Sequence, residues 1–146
     1  MRILSTVFCG VIALAGMALS ASGQDVPFAT KVVGMEYPRL AQLARMTGIA
    51  MLQVRIDSNG KVTRATGVFG WPLLIDKAKA NIVLWTFSAG KSAGGVARSE
   101  FDFAYDFELK GEPDAPRLWP AFTYEYPNKV TIVSPPERLN TQAGRR

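Results

Sequence analysis

Nine consecutive residues, FDFAYDFEL from Phe101 to Leu109, alternate without a miss between bulky apolar and polar or small side chains. Side chains of an extended chain point to opposite faces at a period of two, so Phe101, Phe103, Tyr105, Phe107 and Leu109 share one face and Asp102, Ala104, Asp106 and Glu108 the other. Helical winding would scatter the five bulky groups around the axis. A β-strand with one wet face is the account that fits. A strand of this kind needs neighbours in a sheet and a second layer over its apolar face.

The neighbours are found upstream. In IAMLQVRID, Ile49 to Asp57, residues Ala50, Leu52, Val54 and Ile56 form the face to be buried, with Ile49, Met51, Gln53 and Arg55 opposite. Asp57-Ser58-Asn59-Gly60 then places Asn59-Gly60 between two apolar runs, the strongest short hairpin signal, because both residues tolerate the positive φ of a tight reversal. KVTRATGVF, Lys61 to Phe69, is the returning strand, and Asp57 reads as a cap of the hairpin turn. The covering layer is LLIDKAKANIVLW after Trp71-Pro72, an amphipathic helix with Leu74, Ile75, Ala78, Ile82 and Trp85 inward and Asp76, Lys77, Lys79 and Asn81 outward. Pro38 suits the first position of a shorter helix that carries Leu40, Leu43 and Ala44 on one face, with Gly48 as its stop.

The remaining segments are punctuation and connection. Gln24 to Met35 reads as an extended lead-in, Ser88 to Ala97 with Gly90, Gly94 and Gly95 as a loop, and Gly111 to Pro120 as a proline-rich connection. KVTIV, Lys129 to Val133, is a candidate extra strand, and the tail to Arg146 is polar. The fold class is therefore α+β: a small antiparallel sheet with a β-β-α-β core and a candidate extra C-terminal strand, packed against one amphipathic helix.

A chain of 146 residues with 48% hydrophobic and 20% charged residues is long enough for one domain and too apolar to be disordered. Its first residues have lone Arg2 before an uncharged apolar run, Ile3 to Leu19, then small residues Ser20 to Gly23. This pattern is that of a secretory signal peptide, residues 1–23, cut before Gln24 or, with the small residues placed earlier, before Ala21. An uncleaved membrane anchor is the alternative, since the apolar stretch approaches the ~20 residues that span a bilayer. If the leader is cleaved, no stable membrane span remains and the location is periplasmic or secreted. Cys9 is the sole cysteine and leaves with the leader, so no thiol chemistry is available afterwards.

Placed in order, Tyr37-Pro38, Ala41, Ala44, Gly48, the strand ending at Asp57, Gly60 and Val62, Pro72-Leu73-Leu74 with Asp76 and Ala78, and Trp85-Thr86-Phe87 resemble the C-terminal domain of TonB-type energy transducers. The resemblance runs from about Glu36 to Leu109 and sets a division into lead-in 24–35, domain 36–110 and C-terminal extension 111–146. It marks Tyr37, Pro38, Gly48, Asn59, Gly60, Trp85 and Phe87 as structural motif residues. It implies recognition of an extended peptide, in TonB proteins a segment of an outer-membrane transporter that adds as a strand to the sheet edge. By that analogy the receiving edge is the last family strand, with Phe101, Phe103, Tyr105 and Phe107; the other arrangement is that Lys129 to Val133 or the tail covers it. A transducer of this type also has a membrane-helix histidine and a long proline-rich spacer. This sequence has no histidine, and Gln24 to Glu36 holds one proline and spans at most ~45 Å.

The residues offer little for catalysis. Histidine-based acid, base and triad chemistry is excluded. Asp102, Asp106 and Glu108 share a strand face and read as solvated, without a calcium-loop pattern, and no cofactor or metal motif is found. A net charge of +5 is spread over scattered positions, which does not make a nucleic-acid surface. Trp119, Phe122, Tyr124 and Tyr126, interleaved with Pro120 and Pro127, read as aromatic residues that pack the tail onto the domain, a peptide or glycan surface being the alternative. The expected function is a non-enzymatic exported module that binds an extended protein segment. The alternative is a structural or assembly protein of the envelope, with self-association and an edge filled by its own C-terminal strand.

Overall fold

A computed structural model of the protein describes residues 26–91, 95, 97–113, 115–116 and 120–138. Residues 1–23, read from the sequence as a signal peptide, Trp119 of the aromatic cluster and the end of the tail lie outside them. In chain order the elements are β1 (Phe28–Lys31), α1 (Arg39–Leu43), β2 (Gly48–Ile56), β3 (Val62–Phe69), α2 (Pro72–Ile82), β4 (Thr86–Ser88), β5 (Gly90–Lys91), β6 (Ala97–Arg98), β7 (Glu100–Leu109), β8 (Phe122–Glu125) and β9 (Lys129–Ser134). The fold is α+β, as the periodicities predict.

The main sheet has the order β3-β2-β7-β9-β8, so β7 lies at its centre. Strands β2 and β7 are antiparallel over the full length from Gly48↔Phe107 to Arg55↔Glu100. The pairing of β7 with β9, Ala104↔Lys129 to Leu109↔Ser134, is parallel, and β8 returns antiparallel along β9. One face carries the core: Ala50, Leu52, Val54 and Ile56 from β2, Phe101, Phe103, Tyr105 and Phe107 from β7, and Val130 and Ile132 from β9. Both alternating runs therefore bury the face predicted for them.

Helix α2 packs on β2 and β3. Leu74, Ala78 and Ile82 are buried with no measurable exposure, and Trp85 follows in the turn beyond the helix. Asn81 departs from the helical reading, because it is buried rather than outward. Over the other half of the sheet the cover is Trp85 and Phe87, with β1 paired antiparallel to β4.

Two local readings are corrected by the backbone. In α1 the buried residues are Ala41 and Gln42, while Leu40 is 67% exposed. A helix of five residues has no stripe to bury, and Gln42 instead donates its amide to Ser134 Oγ and the Pro135 carbonyl. The reversal after α1 falls on Arg45 at φ 55°, and Gly48 opens β2. In the β2–β3 turn Gly60 has φ 78° but Asn59 does not have a positive φ. The Asp57 carboxylate accepts the N–H groups of Asn59 (2.9 Å) and Lys61 (3.0 Å), and Gly60 N–H donates to the Asp57 carbonyl. Glycine is needed at position 60 for a second reason: a Cβ there would lie 1.8 Å from the Phe87 carbonyl oxygen, where β4 crosses the turn.

Candidate functional site

The aromatic side chains of β7 organise one flank of the sheet. Trp85 meets Phe103 edge-on at 5.4 Å, Phe122 at 6.1 Å and Tyr124 at 5.7 Å between ring centroids. Such contacts add to the area that the rings bury. Beneath them Asn81 Oδ1 accepts from Tyr105 Oη (2.9 Å) and Trp85 Nε1 (3.0 Å), while its amide donates to the Val33 carbonyl (3.0 Å). This node ties α2, β7 and the lead-in together and leaves the Tyr105 hydroxyl satisfied though fully enclosed. Burial pushes the Tyr105 phenol well above its ordinary range.

Phe101, Phe103, Tyr105 and Phe107, the residues proposed for a receiving edge, therefore point into the core of the central strand. On the side of β7 away from β2, β9 occupies Ala104 to Leu109, and the Lys110 N–H extends the pairing to the Ser134 carbonyl. Below this stretch Asn128 continues the contact, its backbone carbonyl accepting from Ala104 N–H and its side-chain amide donating to the Asp102 carbonyl. Tyr124 fastens the outermost strand by accepting from Ala29 N–H (3.0 Å) and donating to the Pro127 carbonyl. Burial, with Tyr126 nearby, raises its pKa against the lowering effect of that N–H.

The outward face of this flank is a row of charges. Lys129 lies 3.5 Å from Asp106 and 3.6 Å from Glu125, and Lys110 pairs with Glu108. Glu125 also accepts from Thr131, and this hydrogen bond, with Lys129, holds its carboxyl below the usual range. Asp106 and Glu108 are thus engaged by lysines. Among the described residues no cluster of His, Cys, Asp and Glu could hold a metal ion.

The motif residues take structural places. Tyr37 donates to the Met46 carbonyl and packs edge-on against Phe107 at 5.4 Å. Burial, then the neighbouring Asp106, lifts its pKa to about 12. Pro38 is the N-cap of α1, and Phe87 packs on Phe101 at 5.0 Å.

Beyond Lys61, which bridges Thr86 of β4, the opposite flank is open. No strand among the described residues pairs with the outer side of β3. Its pairing with β2 slips twice, leaving Thr63 and Val68 as extra residues and a regular stretch from Arg64 to Gly67 opposite Arg55 to Leu52. At its end Val68, Phe69 and Trp71 are 62%, 69% and 54% exposed, and with Ile49, Gly67 and Ile75 they line a cleft of about 610 Å³. Gly67 lets α2 sit against the strand, since a Cβ there would lie 2.4 Å from Ile75 Cγ2.

Sequence reasoning missed Asn81, the Gln42 anchor and the short strands β1, β4, β5, β6 and β8, of which β1 lies in the lead-in and β5 and the start of β6 in the segment read as a loop. Asn81 carried a signal, being three residues after buried Ala78 and four before Trp85 on the same helical face. Among the described residues no helix is long and apolar enough to cross a membrane. No curated protein and no solved structure gives a significant match to the chain. The family model for the Gram-negative bacterial TonB protein C-terminal, however, matches residues 33–109, from the lead-in through the last residue of β7. By that match, which spans more than half of its length and every element from α1 to β7, the chain belongs to the TonB C-terminal family.

Proposed function

We propose that this chain is an exported, non-enzymatic module of the Gram-negative cell envelope that acts by binding protein, in the outer-membrane transport setting of its family, with its β7 edge sealed by its own C-terminal strand. The observation that carries this reading is the parallel pairing of β9 with β7 over Ala104 to Leu109. The family resemblance implies that a transporter segment adds as a strand at this place; here a strand of the same chain supplies those main-chain bonds and buries Val130 and Ile132. A tethered strand competes at an effective concentration on the order of millimolar, so a free segment offering similar bonds is held off. In this proposal residues 1–23 are the leader, residues 36–110 the family domain, and residues 111–146 the extension that completes the sheet. Export places it in the periplasm, and a chain without histidine and with no cysteine beyond Cys9 favours binding over catalysis.

The same sealing favours a second reading, a structural or assembly protein of the envelope that needs no captured segment. Sedimentation of the exported protein separates the two: a stable higher-order assembly supports the second, a monomer the first. The sealed edge itself is tested by amide hydrogen exchange on that protein. Amides of β7 and β9 are expected to be protected and to lose protection together. Free exchange along β9 with an alternating set of fast amides on β7 would restore β7 as a capture edge.

A further inference from the structure

The open flank carries an uncompensated charge at the place where its strand is most regular. On the outward sheet face the row through this level is Glu100, Arg55, Arg64, with Arg55 opposite Glu100 in one ladder and opposite Arg64 in the next. Arg55 Nη2 donates to Glu100 Oε2 at 2.9 Å, so the inner arginine is neutralised. Like charges directly opposite each other destabilise a strand pair. Arg64 has no ion pair among the described residues, and it lines a shallow cleft of about 150 Å³ with Gln53 and Thr66, which offer further hydrogen-bonding groups. Directly beyond Thr66 the apolar cleft begins, lined from Gly67 through Phe69 to Trp71.

We propose that the outer edge of β3 receives an extended segment of a partner protein, with a carboxylate set opposite Arg64 and an apolar or aromatic side chain lodged in the cleft at Phe69 and Trp71. This rests on the reading of the chain as a protein-binding module. Main-chain bonds along Arg64 to Gly67 would hold the segment, and the carboxylate would extend the row to Glu100, Arg55, Arg64, acid, an alternation that relieves the arginine pair. The Gly67 and Ile75 walls of the cleft lie on the α2 side, but Phe69 stands opposite outward-facing Met51, so a side chain four residues from the acid, on the same face of an extended segment, meets the cleft from its Phe69 side. A second copy of this chain is a poor occupant, because β3 and the flanking Lys61 contain basic residues and no acid. The two irregularities at Thr63 and Val68 limit the edge to a short stretch, which selects a brief segment over open-ended sheet growth.

The test uses the exported protein, isotopically labelled, and capped synthetic peptides of alternating threonine and valine with one glutamate and one tryptophan four residues apart, in both orders. Backbone amide shifts with millimolar peptide are expected at Arg64 to Phe69, leaving β9 and β8 unmoved. Arg64→Glu should weaken binding about fivefold, and a peptide with lysine in place of glutamate should recover it on that variant. The proposal is overturned if neither order of peptide shifts β3, if the lysine peptide binds the unmodified protein equally well, or if β3 signals report pairing with a second copy. Shifts confined to β7 and β9 would overturn it while leaving a protein-binding function standing. Protection of β9 measured without peptide bears on the sealed edge independently of all these outcomes.

Discussion

The two flanks of the sheet solve the problem of an exposed edge in different ways. On the β9 side the chain adds strands: Val130 and Ile132 are buried, Phe122 and Tyr124 pack on Trp85, and the outermost strand is four residues long. On the β3 side the outer strand has eight residues, is irregular twice, and leaves Val68 and Phe69 in solvent. Edges are commonly protected by shortness, covering, bulges or charge. Here one flank uses covering and shortness, and the other uses irregular register and arginine. Stability is therefore expected to concentrate on the first flank, and adaptability on the second.

The largest break in that contrast should come from Trp85→Ala, which removes the ring joining α2 to β7 and β8. A loss of about 3–5 kcal/mol is expected in urea unfolding. Ile132→Ala, costing about 2–5 kcal/mol, should speed exchange in β9, β8 and the second half of β7 while sparing the β2–β3 pairing. Equal loosening of both flanks would show that they are not separate units. For Asn81→Ala the expected cost is about 1–3 kcal/mol, because the Tyr105 hydroxyl is left without an acceptor in the core. Thermal melts of this variant beside Tyr105→Phe, which removes the donor, separate the lost bond from lost packing.

Alkaline pH should act on the same flank. Tyr37, Tyr105 and Tyr124 all have raised folded-state pKa values, Tyr37 reaching about 12. Unfolded tyrosine ionises near pH ~10 and the folded protein holds these protons longer. Their stabilising contribution is complete below that value and is lost as pH rises above it toward the folded values. Circular dichroism against pH should show the loss beginning near pH ~10, with a shallower fall in Tyr37→Phe. The smallest effect is expected from Val68→Ala on the open flank, within about 0.5 kcal/mol by urea titration. A larger cost would mean that this edge is covered in solution.

Where the sequence speaks clearly, one local period meets one environment. The alternations of Ala50 to Ile56 and Phe101 to Phe107 name their buried faces because each strand has one dry side, and Leu74, Ala78 and Ile82 do so at helical spacing. Leu40 misleads, since in a five-residue helix a side chain's fate depends on what lies beside it, here the Ser134 to Pro135 segment reached by Gln42. Strand β8, FTYE between prolines, is too short to display a period. The sequence leaves open whether Lys129 to Val133 covers the β7 edge, and no local pattern decides it, because parallel pairing is set by what remains unpaired after the rest of the sheet has formed. The open edge at β3 was visible only as a hairpin strand; that Arg64 has no ion pair among the described residues depends on Arg55 having found Glu100 first.

The parallel position of β9 also sets an order in time. Of the described strands it is the last to be synthesised, yet it lies beside the central one. Until Lys129 to Ser134 arrive, β7 has a bare backbone ladder and its neighbours lack Val130 and Ile132. Non-local pairing is slow to form, and unpaired strands in partly made proteins are the usual points of misassembly. A chain arrested before residue 129 would carry every matched family residue and still be a hazard to its neighbours. For this protein, reaching the last described strand is the step that closes the β7 edge to other chains.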